Sequence, residues 1–343
     1  MTLGYSGGFK ETVGELADYE KAGLDIVFVA EAYSFDAVSQ MGYIAAVTER
    51  LQIASGILPI YSRTPALMAM TAAGLDYISD GRFTLGLGSS GPQVIEGFHG
   101  VPYTAPIGRT REVIEICRKV WRRERLQYDG RHYTLPLPPD QGTGLGKPLK
   151  IINHPVRSRI PIVLAAIGPK NVELAAELAE GWEPIFYVPE KAADVWGAAL
   201  AARQGQTRPR AGRAGRGRPG VPLHRRRRRR PAGPRLEPMA ALYIGGMGAK
   251  GKNFYNNLAR RYGYEKEAEQ IQELYLDGKK DEAAALVPRE LLEKMSLIGD
   301  EAYVRDRMRA MKESGVTTLN VTPLGRTHEE RVRLIETIKD IAS

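Results

Sequence analysis

Two glycine-bearing segments hold the residues best placed for chemistry. One is Asp80-Gly81-Arg82-Phe83-Thr84-Leu85-Gly86-Leu87-Gly88-Ser89-Ser90-Gly91-Pro92-Gln93, the other Pro161-Ile162-Val163-Leu164-Ala165-Ala166-Ile167-Gly168-Pro169-Lys170-Asn171-Val172. Each is a short apolar run that empties into small residues, and the second leads straight into a helix start. A parallel α/β protein builds anion and cofactor sites in this way, at the carboxyl ends of its strands. In the second segment Gly168 lets a phosphate approach the backbone and Pro169 presets the first helical turn. The free amides expected at Lys170 and Asn171, with the lysine charge, favour an anion. An ordinary β/α turn has the same spacing. Glu31 ends the apolar run 25–29 and is placed to hydrogen-bond a cofactor ring or to act as acid or base. The plainer role for it is a surface or helix-capping carboxylate.

Other chemistries find less support. The five histidines, His99, His132, His154, His224 and His328, include no i, i+4 pair and no metal-ligand spacing. Of these only His99 follows an active-face segment, and a lone histidine is most often structural. Gly86, Gly88 and Gly91 spell Gly-x-Gly-x-x-Gly, but Pro92 follows at once and no helix–strand pair ends in an acidic residue about 20 positions on, as a dinucleotide fold requires. Cys117 shares one helical face with Val113, Ile114 and Val120, the setting of a buried, inert thiol. As the single cysteine it permits no internal disulfide and fits a reducing compartment.

The elements that must position these residues alternate regularly. A helix over 12–22 stops at Gly23 and leads to a strand over 25–29; a helix through 41–47 precedes a strand over 51–58. Thr64-Pro65 reads as an N-cap with proline at the first helical position, opening a helix over 66–79. A strand over 83–88, a helix over 109–121 and a Gly/Pro-rich excursion over 125–154 follow. Next come strand 162–165, helix 170–179, strand 182–186 and helix 191–202. Residues 239–246 are apolar, and 252–295 read as helices broken near Asp277-Gly278. Asp300 caps a helix through 314, a strand covers 318–321, and Thr327 with Glu330 forms a capping box for the last helix. Continuously apolar strands between amphipathic helices indicate parallel strands buried on both faces. The best reading is α/β, a (β/α)8 TIM barrel of one domain with a late helical insertion.

The strand/helix unit expected at about 205–235 is anomalous. The formal charge of +9 suggests a nucleic-acid partner, yet residues 203–235 hold thirteen arginines and no lysine or acidic residue. Without them 36 basic residues face 40 acidic ones, a net of −4. The arginines, six of them consecutive from Arg225 to Arg230, interleave with no aromatics on which bases could stack, which argues against RNA. Such a composition buries no core. Arginine codons read one base later become codons for Gly, Asp, Glu, Ala and Val. With suitable codon choices, 205–218 can be re-read as a loop leading into a strand, and 225–232 as Gly-Asp-Asp-Val-Ala-Gly-Leu-Leu, a capped helix start. A frame slip over 204–237 is therefore the preferred reading, ahead of a solvated insertion or a nucleic-acid tail. The amino terminus has no basic, apolar signal pattern, and no run approaches the roughly 18 apolar residues of a membrane span; a cytoplasmic protein is expected.

Taken together, Val27-Phe28-Val29-Ala30-Glu31-Ala32-Tyr33, Ala54-Ser55-Gly56-Ile57-Leu58, 81–88, 165–172 and Ile298-Gly299-Asp300 resemble the bacterial luciferase-like superfamily, in particular its coenzyme F420 (deazaflavin)-dependent oxidoreductases. The resemblance covers 1–203 and 238–343 and fails over 204–237. It implies a barrel with the flavin-like ring at its mouth and a non-prolyl cis peptide at Gly56-Ile57 behind that ring. It also implies Ser89, Ser90 and Gly91 near the cofactor's polar chain, and Ile167, Gly168, Pro169, Lys170 and Asn171 near its phosphate. Glu31 falls where members carry an acidic residue near the ring and is the candidate for proton management. Members that oxidise sugar phosphates have histidine next; here it is Ala32, so their catalytic assignment does not carry over. The implied reaction is hydride transfer to or from a small organic molecule, with the coenzyme carrying the chemistry. An FMN-dependent monooxygenase on the same barrel is the alternative. The resemblance implies no metal and leaves a homodimer open.

Overall fold

Short apolar runs recur along the chain, most of them followed by a helix. The computed structural model describes residues 1–4, 8–202, 221–225 (backbone only) and 236–342. By contacts it divides into two compact units, one of Met1–Ala165 with Glu177–Gly181, the other of Ala166–Ala176 with the described residues from Trp182 onward.

In the first unit the strands are β1 (Thr2–Leu3), β2 (Ile26–Val29), β3 (Gln52–Ser55), β4 (Leu58–Pro59) and β5 (Phe83–Gly88), then β6 (Tyr128–Asp129), β7 (Thr134–Leu135) and β8 (Ile162–Ala165). A parallel sheet runs in the order β1-β2-β3-β5-β8, with β4 also on β5. Val27, Phe28, Ile53, Ala54, Phe83, Leu85 and Leu87 are all buried, which is why these strands show no polar alternation. The strand expected over 51–58 is split into β3 and β4 by the cis Gly56-Ile57 peptide. Helix Pro65–Ile78 starts as expected, with Thr64 accepting the Leu67 N–H at 3.2 Å and proline in its first turn. Helix Ala37–Val47 begins earlier than its apolar pattern suggests, because the Asp36 carboxylate accepts the Ser39 N–H at 2.7 Å and caps it. Helix Pro106–Trp121 is fastened to Pro65–Ile78 by Trp121, whose indole N–H donates to Ala69 O at 3.0 Å. Cys117 is fully buried on the same helix and burial pushes its thiol up to about 12, so it is inert at neutral pH. The excursion over 125–154 contains the antiparallel β6/β7 hairpin, anchored where the buried Glu112 carboxylate accepts the N–H groups of Arg131, His132 and Tyr133.

The second unit opens with helix Pro169–Leu178 and contains Trp182 and Glu183 of β9 (Gly181–Glu183). The helical insertion is present as Leu236–Ala241, Phe254–Arg261, Glu265–Leu276, Lys280–Ala285 and Arg289–Met295. Asp300 caps helix Glu301–Glu313 by accepting the Tyr303 N–H at 2.9 Å. Before the last helix, His328–Ala342, Thr327 Oγ1 accepts the Glu330 N–H while the Glu330 carboxylate accepts from Arg326 N, so the expected capping box closes one residue earlier. Here β10 (Val221–Arg225) lies between β11 (Leu297–Gly299) and β12 (Val321–Pro323), parallel to both. A parallel strand therefore exists within the anomalous 204–237 stretch. The frame-slip reading of the rest of that stretch lies outside the described residues.

Among the described residues no helix is long and apolar enough to cross a membrane, and no group of His, Cys, Asp and Glu is arranged to hold a metal ion.

Candidate active site

The carboxyl end of β2 delivers Glu31 into a fixed ion pair. Arg63 Nη1 donates to Glu31 Oε1 at 2.6 Å and Nη2 to Oε2 at 2.9 Å, while Oε2 also accepts the Ala37 N–H at 3.2 Å. Arg63 Nη2 further reaches Asp36 Oδ1 at 3.1 Å. Both members of the main pair are nearly buried, their side chains 9% and 12% exposed. A bidentate guanidinium–carboxylate pair in such a setting fixes geometry as well as charge. The hydrogen bond that Arg63 donates to the Glu31 carboxylate holds the guanidinium more firmly protonated than usual. Burial raises the Asp36 carboxyl, but the Ser39 donors and the Arg63 charge outweigh it and hold the group below its ordinary value.

One strand further on, Ser55 replaces the sheet ladder. Its Oγ accepts the Gly86 N–H and donates to Gly86 O, both at 2.8 Å. A Cβ on Gly86 would lie 1.8 Å from Ser55 O, so only glycine lets β3 and β5 approach here. A Cβ on Gly88 would lie 3.0 Å from the Ile57 side chain, a tighter fit than usual though milder than at Gly86. These two glycines of the Gly-x-Gly-x-x-Gly string are therefore packing glycines, and the dinucleotide alternative loses its physical basis. The peptide that follows Ser55, Gly56-Ile57, is cis, as the resemblance implies. The Glu31 N–H donates to Ile57 O at 3.3 Å and Gly56 N–H to Val29 O at 2.8 Å, tying the bulge to the end of β2.

β5 then empties into Ser89 and Ser90, the latter at φ +56°. Tyr103 OH donates to Ser89 Oγ at 3.0 Å and Ser90 O at 3.3 Å, and its ring packs 5.2 Å from that of Tyr61. Tyr61 OH is committed to Thr104 O at 2.7 Å, and burial with the neighbouring Tyr103 pushes it up to about 12, so it is no proton source near neutrality. A Cβ at Gly91 would meet only the Gln93 side chain, at 3.6 Å, leaving this backbone open to a ligand. Glu31, Gly56, Ile57, Ser89, Ser90 and Gly91 are thus joined through contacts among β2, β3, β4 and β5.

The other predicted residues form one turn of the second unit. Gly168 has open space where a Cβ would stand, and Pro169 and Lys170 are exposed. The Asn171 N–H, however, donates to Gly168 O at 3.0 Å. The expectation of two free amides is corrected: the helix's first turn consumes that of Asn171. Two indoles steady the turn, Trp182 Nε1 donating to Ala166 O at 2.9 Å and Trp196 Nε1 to Ile167 O at 3.1 Å. The two tryptophan rings meet edge to face at 5.1 Å.

Sequence reasoning missed Arg63, Tyr103, Trp182 and Trp196. Arg63 had a faint signal, an arginine directly before the Thr64-Pro65 helix start. The others act through contacts distant in sequence and leave no local pattern.

Similarity to known proteins identifies the family. The family model for luciferase-like monooxygenases matches residues 1–318. A Mycobacterium tuberculosis protein named as a coenzyme F420-dependent oxidoreductase is 42% identical over 327 residues, 94% of each chain. The coenzyme F420-dependent tetrahydromethanopterin reductase of Methanopyrus kandleri shares the fold, with a TM-score of 0.78 at 20% identity over 98% of this chain and 96% of that one. The FMN-bound oxygenating constituent of 3,6-diketocamphane monooxygenase from Pseudomonas putida aligns with a TM-score of 0.64 at 18% identity, covering 97% and 92%. With β/α alternation and parallel strands of the same kind, the chain belongs to the luciferase-like family of TIM-barrel oxidoreductases, among its F420-dependent enzymes.

Proposed function

We propose that the protein transfers a hydride between the deazaflavin coenzyme F420 and a small organic substrate, with no covalent protein intermediate. The observation that carries this reading is the 42% identity, over 94% of both chains, to a protein named for that coenzyme. The residues present fit such a group: Gly91 and Gly168 each leave backbone open to close approach, and the cis Gly56-Ile57 bulge stands at the strand ends beside Glu31. When bound, the deazaflavin supplies the two-electron carrier.

This chain's own residues then bind and orient. Ile57, braced against Gly88, forms a rigid backing at the end of β3. Ser89, Ser90 and Gly91 offer a hydroxyl-lined stretch to a polar chain, held in place by Tyr103. The turn of Ile167, Gly168, Pro169, Lys170 and Asn171 is a separate anion-binding candidate, with the Lys170 charge at a helix start. Glu31 has both oxygens engaged by Arg63. We therefore assign it to orientation, as one half of a nearly buried ion pair with Arg63. FMN-dependent monooxygenation is the second reading, and the FMN-bound structural neighbour supports it at the level of fold.

A fluorescence titration with F420, using FMN as competitor, tests the proposal. Saturable F420 binding that a tenfold excess of FMN leaves in place is expected by order of magnitude, a selectivity of at least ~1.4 kcal/mol. Displacement by FMN would transfer the chain to the monooxygenase reading.

A further inference from the structure

Three aromatic side chains stand in solvent beside the Glu31–Arg63 pair. Tyr33 is 69% exposed and Phe35 81%, both on the loop after β2, and Phe98 is 66% exposed on the segment after β5. Tyr33 and Phe98 approach with ring centroids 6.3 Å apart, and His99 lies edge-on to Phe98 at 5.3 Å. Surface rings normally lie down against their own fold; these leave most of their area to water at the end of a parallel sheet where barrel enzymes receive substrate.

The charge around them is one-sided. The segments 30–36, 56–64 and 89–105 carry three carboxylates, Glu31, Asp36 and Glu96, against one permanent cation, Arg63. Both terminal nitrogens of Arg63 are taken up by Glu31 and Asp36. The next cation, Arg109, donates to Thr104 O and is flanked by the Tyr61 and Tyr133 rings at 6.0 and 5.2 Å. A phosphate or carboxylate arriving at these loops meets excess negative charge and no uncommitted cation. A neutral ring meets three π faces.

We propose that Tyr33, Phe35 and Phe98 form the substrate-recognition face, and that the substrate is a neutral, apolar, ring-bearing small molecule rather than a sugar phosphate or another anion. This rests on the oxidoreductase reading above.

The experiment uses two probes of one carbon skeleton, 4-phenylbutan-2-one and 4-phenylbutanoate, whose affinities for the full-length protein are measured by calorimetry. F420 affinity is measured by fluorescence on the same preparation. The ketone is expected to bind at least tenfold more tightly than the acid. Phe35→Ala and Phe98→Ala are each expected to weaken the ketone about tenfold while F420 affinity holds, and Phe98→Tyr to restore most of the loss. Equal affinity for the two probes overturns the charge argument. A ketone affinity indifferent to both alanine variants overturns the recognition face. So does a change of sedimentation mass in Phe98→Ala with unchanged ketone binding, which would assign the ring to contact between copies of the chain. Failure of F420 to bind while the ketone behaves as expected removes the cofactor reading and leaves the recognition face standing.

Discussion

Glu31 and Glu183 are both carboxylates on or just beyond a strand, and their surroundings differ. Glu31 is met by a guanidinium on both oxygens. Glu183, the last residue of β9, has a buried Oε2 with no hydrogen-bond partner, and burial pushes its carboxyl up from 4.5 to about 7 against the opposing Asn320 hydrogen bond. A carboxyl raised in the folded state holds its proton where the unfolded chain has released it. Its effect on stability is therefore fully felt above about pH 7 and absent below about 4.5: stability falls as pH rises through that window. Glu183→Gln removes the titration. Urea unfolding at pH 4.5 and pH 8 is expected to show the variant gaining on the parent at the higher pH, by on the order of 3 kcal/mol. A difference that stays constant between the two pH values would contradict the assignment.

At the scale of the element, the sheet departs from regular pairing where the candidate site begins. Regular β3/β5 pairing ends at Ala54↔Thr84, and Ser55 takes over both ladder bonds with one hydroxyl. Ser55→Ala leaves a buried N–H and a buried carbonyl on Gly86 without partners, at a cost of about 2–3 kcal/mol. Chemical denaturation is expected to show that loss together with weaker F420 binding, since the bulge at Gly56-Ile57 hangs from the same residue. A loss below about 0.5 kcal/mol would mean that water or a backbone shift satisfies Gly86. Element identity was largely legible: the apolar runs of β2, β5 and β8 and the Thr64 and Asp300 caps are local signals, and each stands within a residue or two of where the pattern puts it. What was not legible depends on distance in sequence. The long helix expected over 12–22 is broken into Phe9–Gly14 and Leu16–Lys21. Asp36 caps its helix with one oxygen while the other accepts from Arg63, 27 positions away.

For the whole molecule, the arginine-rich stretch is the open matter. In the frame as written, the backbone of Val221–Arg225 lies parallel between β11 and β12. We retain as a proposal that the chain is a single barrel domain interrupted by a frame slip over 204–237. Resequencing the coding DNA is expected to show a one-base slip that restores the loop–strand and capped-helix reading; an unambiguous in-frame run of arginine codons would end that idea. By itself the sequence determined the β/α alternation, the insertion, the family resemblance and the strand ends that matter, because hydrophobic periodicity and turn chemistry are local properties of the chain. Tertiary structure alone decided what the residues at those ends do. It gave Gly86 and Gly88 to packing, turned the Asn171 amide into its helix, and clamped Glu31 with Arg63. A charge or a hydrogen-bond donor becomes chemistry only through the partner that folding sets against it, and that partner is remote in sequence.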